Sequence, residues 1–247
     1  TDLAINWIRG KDQPWFCWLA YTAPHSPFHL PPNEMHSQGE ISSSQGNINN
    51  NPSPYYIAMI ESIDYEIGRL LRTIPNNQKE NTLIIFLGDN GTPGEVVQAP
   101  YENNRSKGSL HQGGIHVPMV ISGPLVTRKG ERDQSLIQTA DLFSTIAEAA
   151  GISESKYFNS QSFYNTFSKS TISARAYNYS EILNNEKPAK SGFTIRNERY
   201  KLIVLDNNSY RFYDLKNDPY EKINLMNGNF SIEQQNIMDK LIILIQL

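Results

Sequence analysis

The stretch NTLIIFLGDNG, Asn81–Gly91, decides how the chain is read. The apolar run Leu83–Leu87 predicts a strand buried on both faces. It ends at Gly88-Asp89-Asn90-Gly91. In an open α/β sheet, loops at the carboxyl ends of strands line the ligand crevice. A carboxylate and an amide carbonyl there are hard oxygen donors suited to Ca²⁺ or Mg²⁺, not to zinc. Asp-Asn-Gly is also a turn sequence, and by itself it is a turn more often than a metal site. On local grounds both readings stand.

Working outward, Ser53-Pro54 reads as an N-cap with proline at the first helical position. Isoleucines and leucines from Ile57 to Ile74 recur at helical spacing until Pro75. Upstream, TDLAINWIRG predicts a helix with Leu3, Trp7 and Ile8 on one face, and PWFCWLAY predicts a buried strand. TAPHSPF then fixes an irregular loop around His25, and residues 29–53 read as an exposed, polar insertion. Downstream, residues 91–114 form a long aperiodic loop of the kind that is usually functional or disordered. HVPMVISGP supplies another strand, and QTADLFSTIAEAAG a helix with Thr139 as N-cap and Gly151 as stop.

Alternating strands and helices predict an α/β fold, a mainly parallel sheet flanked by helices, over residues 1–172. Residues 173–247 read as a small C-terminal subdomain, an antiparallel sheet with one packed helix. Its strands are drawn from GFTIRNERYKLIVL and YRFYDL, Asn207-Asn208 is the hairpin turn, and Ser231 with Gln234 forms a capping box for the last helix.

Composition narrows the function classes. The 247 residues carry a net charge of -3, which gives no footprint for nucleic acid or an anionic membrane. No apolar run reaches the roughly 20 residues that span a bilayer. Cys17 is the only cysteine, so no intrachain disulfide forms, and its place in an apolar strand makes it an inert core residue. Lys107, between glycine-rich flanks in RSKGSLHQGG, is suited to hold an oxyanion as a point charge, although a solvated lysine is the commoner case. His25 is suited to donate to an anion or leaving group, or simply to bond backbone in its loop. His111 and His116 lie near Lys107 in sequence and are weaker candidates.

Taken in order, PWFCWLAYTAPHSPF, YIAMIESIDYEIGRLL, NTLIIFLGDNGTPGEVVQAPY, RSKGSLHQGGIHVPMVISGP, QTADLFSTIAEAAGI and RNERYKLIVL…RFYDLKNDPYEKINL resemble landmarks of the sulfatase family of the alkaline-phosphatase-like superfamily. The resemblance spans nearly the whole chain. It implies that Asp89 and Asn90 are ligands of a divalent cation, Ca²⁺ with Mg²⁺ as the alternative. It implies that Lys107 and His25 contact the sulfate and act in catalysis, with His111 a weaker substrate contact. His111 and Gln112 stand where the family block K-G-T-L-Y-E-G-G has Tyr and Glu.

The resemblance further implies a formylglycine nucleophile, made in a C/S-x-P-x-R motif. That motif is absent from this sequence, so the nucleophile and the paired aspartates completing the metal site are expected in an N-terminal part of the same protein. The expected partners are therefore a sulfate ester and that missing part, with self-association of the chain through the sheet it leaves open. Export to the periplasm or outside the cell is implied by resemblance only. Two other readings stay open. One is a catalytically incomplete remnant serving as a binding or structural domain. The other is a hydrolase of phosphate diesters or phosphonates, as in relatives within the superfamily.

Overall fold

The computed structural model describes residues 1–152, 158–170, 175–184 and 190–245. The chain forms two compact units, Thr1–Thr82 and Leu83–Leu247. The expected subdomain boundary at residues 172/173 lies outside the described residues.

In the first unit, α1 (Asp2–Arg9) is amphipathic and ends at Gly10. Its buried face is Ile5 and Ile8, while Leu3 and Trp7 are exposed, so the expected apolar face is rotated. A short helix α2 (Gln45–Asn50) is capped by Ser44, whose hydroxyl accepts the Asn47 N–H. Ile48 of α2 is buried, so the 29–53 segment is partly folded rather than wholly exposed. The long helix α3 (Ser53–Thr73) has Pro54 in its first turn and stops before Pro75 as its sequence predicts, but Ser53 is its first helical residue rather than its cap, and no side chain caps it. It buries Tyr55, Ala58 and Met59, and Ile60 is exposed. Arg69 joins α3 to α1 through Asp2 at 2.6 Å while also holding Glu66. One further turn, α4 (Asn76–Lys79), presents Gln78, which accepts from the Trp15 indole and donates to the Lys11 carbonyl.

The run PWFCWLAY is in no strand and joins no ladder among the described residues, so the expected buried strand does not form there. Exposure alternates along it: Trp15, Cys17 and Leu19 are half-buried, whereas Phe16 and Trp18 are exposed. Period-two alternation is the geometry of a strand. Apolar residues on its exposed side are the composition of a strand covered on both faces.

In the second unit, β1 (Ile84–Leu87) pairs antiparallel with β2 (Met119–Ser122), Phe86 opposite Val120. The inward residues Ile85, Leu87, Met119 and Ile121 pack on α6 (Asp141–Ala149) through Leu142, and on Phe163 and Phe167. The other face leaves Phe86 43% and Val120 59% exposed. This corrects the expected mainly parallel sheet: all strand pairing among the described residues is antiparallel. A parallel pair needs a crossover of a dozen or more residues that carries the chain back over the sheet. Here the connection from β1 to β2 is a loop with only a 3-10 turn at Asn103–Arg105 and one α-helical turn, α5 (Gln112–Ile115), and β2 returns along β1.

Thr139 is not the cap of α6. Asp141 instead turns its carboxylate back to accept the Gln138 N–H at 2.7 Å, and it also pairs with Arg175. Gly151 stops the helix at φ 78, in the left-handed region that glycine enters without cost.

The C-terminal part carries the four-stranded antiparallel sheet β3 (Asn178–Ile182), β4 (Gly192–Arg196), β5 (Tyr200–Leu205) and β6 (Tyr210–Asp214), in that order. Asn208 turns the β5–β6 hairpin at φ 60. Helix α7 (Ile232–Ile245) covers one face, with Leu241 against Tyr200, Leu202 and Phe212. Ser231 and Gln234 exchange the two bonds of the capping box at 3.1 and 2.9 Å.

Candidate active site

The loop after β1 is not a free turn. The Gly88 N–H donates to the Pro118 carbonyl at 3.0 Å and the Gly91 N–H to the Gly114 carbonyl at 2.9 Å. Lys107 donates its own N–H to the Thr92 carbonyl at 3.0 Å. The segments carrying Asp89-Asn90 and Lys107 are thus stitched backbone to backbone. That approach requires glycine: a Cβ on Gly91 would lie 2.0 Å from the Gly113 oxygen. The structure therefore brings Asp89, Asn90 and the Lys107 loop into one region of the second unit.

Asp89 is exposed, and Asn90 is half-buried. The Asn90 Oδ1 atom is buried and accepts no hydrogen bond. Leaving a buried carbonyl oxygen without a donor costs about 1–3 kcal/mol, so such an atom calls for an explanation. A hard cation is the partner that fits an amide oxygen beside a carboxylate. Among the described residues, no group of three or more His, Cys, Asp or Glu side chains could hold a metal ion. The donor set present fits Ca²⁺ or Mg²⁺ in kind and falls short of it in number.

Lys107 is exposed at the loop surface, followed by Gly108 in a left-handed conformation. His111 is different. It is only 3% exposed, its Nε2 lies 3.1 Å from the Arg211 guanidinium, and its ring meets the Tyr213 edge. Burial, with Lys201, Arg105 and Arg211 nearby, pushes its pKa down to about 3. Arginine can only donate, so Nε2 accepts and the neutral ring carries its proton on Nδ1. His111 faces the C-terminal sheet rather than solvent, while His116 is exposed.

His25 belongs to the first unit. Its backbone N–H donates to the Thr22 carbonyl, and the side chain is exposed. Nδ1 lies 2.6 Å from the Ser26 carbonyl oxygen. A carbonyl only accepts, so Nδ1 is the protonated nitrogen and Nε2 is the one able to accept.

Sequence reasoning missed two residues that shape this region, Lys201 and Glu221. Lys201 lies in the run RNERYKLIVL and Glu221 in RFYDLKNDPYEKINL, both quoted for the family resemblance, which is the signal that could have found them. Lys201 and Glu221 form a buried pair at 2.7 Å, and Glu221 accepts the Gln112 N–H at 2.7 Å.

A family model described as Sulfatase matches residues 1–152, and so includes His25, Asp89, Asn90 and Lys107. The chain belongs to the sulfatase family. A second model, N-sulphoglucosamine sulphohydrolase, C-terminal, matches residues 105–246. The chain is 27% identical to the uncharacterized sulfatase YdeN of Escherichia coli K12, over 98% of this chain and 49% of that protein. It is 28% identical to an arylsulfatase of Klebsiella aerogenes, over 61% of this chain and 50% of that enzyme. Among solved structures, Ps i-CgsB in complex with k-i-k-neocarrahexaose superposes with a TM-score of 0.76 at 26% identity, covering 97% of this chain and 53% of the other. The phosphonate monoester hydrolase of Agrobacterium radiobacter superposes at 0.73 with 20% identity, over 98% and 59%, a likeness of fold alone. The chain spans about half the length of the curated relatives it matches.

Proposed function

We propose that this chain is the part of a sulfuric ester hydrolase that supplies one side of its cation site and the contacts to the transferring group. The observation that carries this is the orphaned Asn90 Oδ1, next to Asp89, stitched to the Lys107 loop of a sulfatase-family chain. Asp89 and Asn90 would hold the divalent cation, Ca²⁺ in the first instance. When bound, that ion supplies neutralisation of charge on the ester's anionic oxygens. Lys107 adds a second positive charge from a loop fixed by backbone bonds. His25 keeps Nε2 free to receive or deliver a proton at the leaving oxygen. Buried as it is, His111 serves the loop better as an anchor than as a substrate contact.

The nucleophile, a formylglycine by family resemblance, and the remaining cation ligands would come from another part of the same protein. Ca²⁺ prefers 6–8 oxygen ligands, so the 247-residue chain alone should bind it weakly and turn over little. Sulfate release by the whole protein from a panel of aryl and saccharide sulfate esters tests the reading, with phosphate diesters and phosphonates assayed beside them. Release of sulfate supports it. Hydrolysis of the phosphorus esters alone would move the chain to the phosphonate-hydrolase side of the fold. No hydrolysis of either would leave a binding or structural role.

A further inference from the structure

Lys201 and Glu221 are 0% and 1% exposed, and neither touches an ester in the reading above. A buried ion pair is a poor source of net stability, because desolvation offsets its attraction, and apolar replacements are often neutral. One oxygen of Glu221 meets the Lys201 ammonium at 2.7 Å, and the other accepts the Gln112 N–H at 2.7 Å. Lys201 also donates to the Gln112 side-chain oxygen at 3.3 Å. The backbone carbonyl of Glu221 accepts from the Arg105 guanidinium. One residue thus grips the chain on both sides of Lys107.

Glu221 also stands at φ 57, a left-handed conformation uncommon outside glycine, asparagine and aspartate. Such a backbone persists where its surroundings over-determine it. Here the Glu221 N–H donates to the Asp218 carbonyl at 3.1 Å, and the Asp218 carboxylate accepts the Ile223 N–H at 2.7 Å. The turn that aims Glu221 is itself locked.

We propose that Glu221, backed by Lys201, is a positioning residue that sets the backbone of residues 105–112 and through it the place of Lys107. This rests on the reading of Lys107 as a contact to the ester's anionic oxygens. It makes the C-terminal sheet a working part of the site, since β5 carries Lys201, and the Lys107 N–H continues the chain of bonds to Thr92 beside Asp89 and Asn90.

The test compares the wild type, Lys201→Met/Glu221→Leu, Lys201→Met/Glu221→Gln and the single Arg105→Met. Amide hydrogen exchange is read on the 247-residue chain, and hydrolysis of 4-nitrophenyl sulfate on the whole protein. In the Met/Leu variant, exchange of residues 105–112 should rise about 10-fold or more while β4 and β5 stay protected, because the acceptor of Gln112 is gone. Its kcat should fall about 30-fold or more with KM within about 3-fold of wild type, the pattern of an interaction realised in the transition state. Met/Gln restores an uncharged acceptor and should recover exchange and kcat to within about 3-fold of wild type. Loop exchange and kcat both unchanged in a folded Met/Leu variant would overturn the proposal. If Met/Leu does not fold, Arg105→Met, which cuts the other grip at a half-buried residue, decides by the same two readouts. A wild type that hydrolyses no sulfate ester would sink the reading of Lys107 alone, and the exchange ratio would still decide the clamp.

Discussion

Gly91 and Gly114 face each other across a backbone hydrogen bond of 2.9 Å, and neither position has room for a methyl group. A Cβ on Gly114 would lie 2.2 Å from the Ser109 oxygen, as tight as the contact a Cβ on Gly91 would make with Gly113. The two loops of the site are held at this distance by the absence of side chains.

Gly91→Ala should therefore push the Asp89-Asn90 segment away from the Lys107 loop and cost about 2 kcal/mol or more in urea unfolding. Gly46→Ala is the control. Gly46 lies in α2 with open space around it, so alanine there should be neutral or stabilising by about 0.5–1 kcal/mol.

His111 makes stability depend on pH. The folded chain holds its pKa at about 3, below the ordinary 6.5. Between these values the unfolded chain binds a proton that the folded chain does not, so stability falls as pH drops below 6.5. The full slope is about 1.4 kcal/mol per pH unit, or about 2 kcal/mol lost by pH 5. His111→Gln keeps an acceptor for Arg211 and removes the titration. Its unfolding free energy should change less than that of wild type between pH 7 and pH 5, and equal slopes would contradict the assignment.

Asn90 should matter to the cation and little to the fold. Its Oδ1 has no partner to lose, so Asn90→Ala should leave metal-free stability within about 0.5 kcal/mol of wild type. In the whole protein, the same substitution should remove most of the thermal stabilisation that added Ca²⁺ gives. A large metal-free destabilisation would mean that the amide has a structural role instead.

Phe86 and Val120 form an apolar pair on the open face of the β1–β2 sheet. In the 247-residue chain this face should drive self-association. Sedimentation equilibrium should show an average mass that rises with concentration, and Phe86→Gln/Val120→Thr should weaken the association about 10-fold or more. In the whole protein, where another layer would cover this face, the same pair should instead cost about 2 kcal/mol of stability. A monomeric wild-type chain at high concentration would remove the argument.

What the sequence made legible follows from where the information lies. Helices α3 and α7 were readable because proline and the Ser231/Gln234 capping box are local signals. The segment around Trp15 and Phe16 has the composition of a strand but forms none among the described residues, because strand pairing is set by residues elsewhere in space. Strand β3 was missed because Asn178–Ile182 has little apolar character, and its form comes from pairing with β4. The parallel sheet was inferred from element order, which does not record that β2 returns beside β1. At the candidate site, Asp89, Asn90 and Lys107 stand out by family resemblance. Local chemistry leaves Asp-Asn-Gly open between a turn and a metal site, and the backbone bonds of this segment to Pro118, Gly114 and Lys107 that tie it to the Lys107 loop are not readable from the sequence. Lys201 and Glu221 were invisible because an ion pair between distant segments has no local spacing.

The central claim is that Asp89 and Asn90 hold a cation needed for sulfate-ester hydrolysis. The most direct measurement is sulfate release from 4-nitrocatechol sulfate by the whole protein, comparing wild type, Asp89→Ala and Asn90→Ala, each chelator-stripped and then returned to Ca²⁺. The account predicts that wild-type release is lost on stripping and restored by Ca²⁺, and that both variants stay about 100-fold or more below it. Release by both variants at the wild-type rate, or none by the wild type, would contradict it.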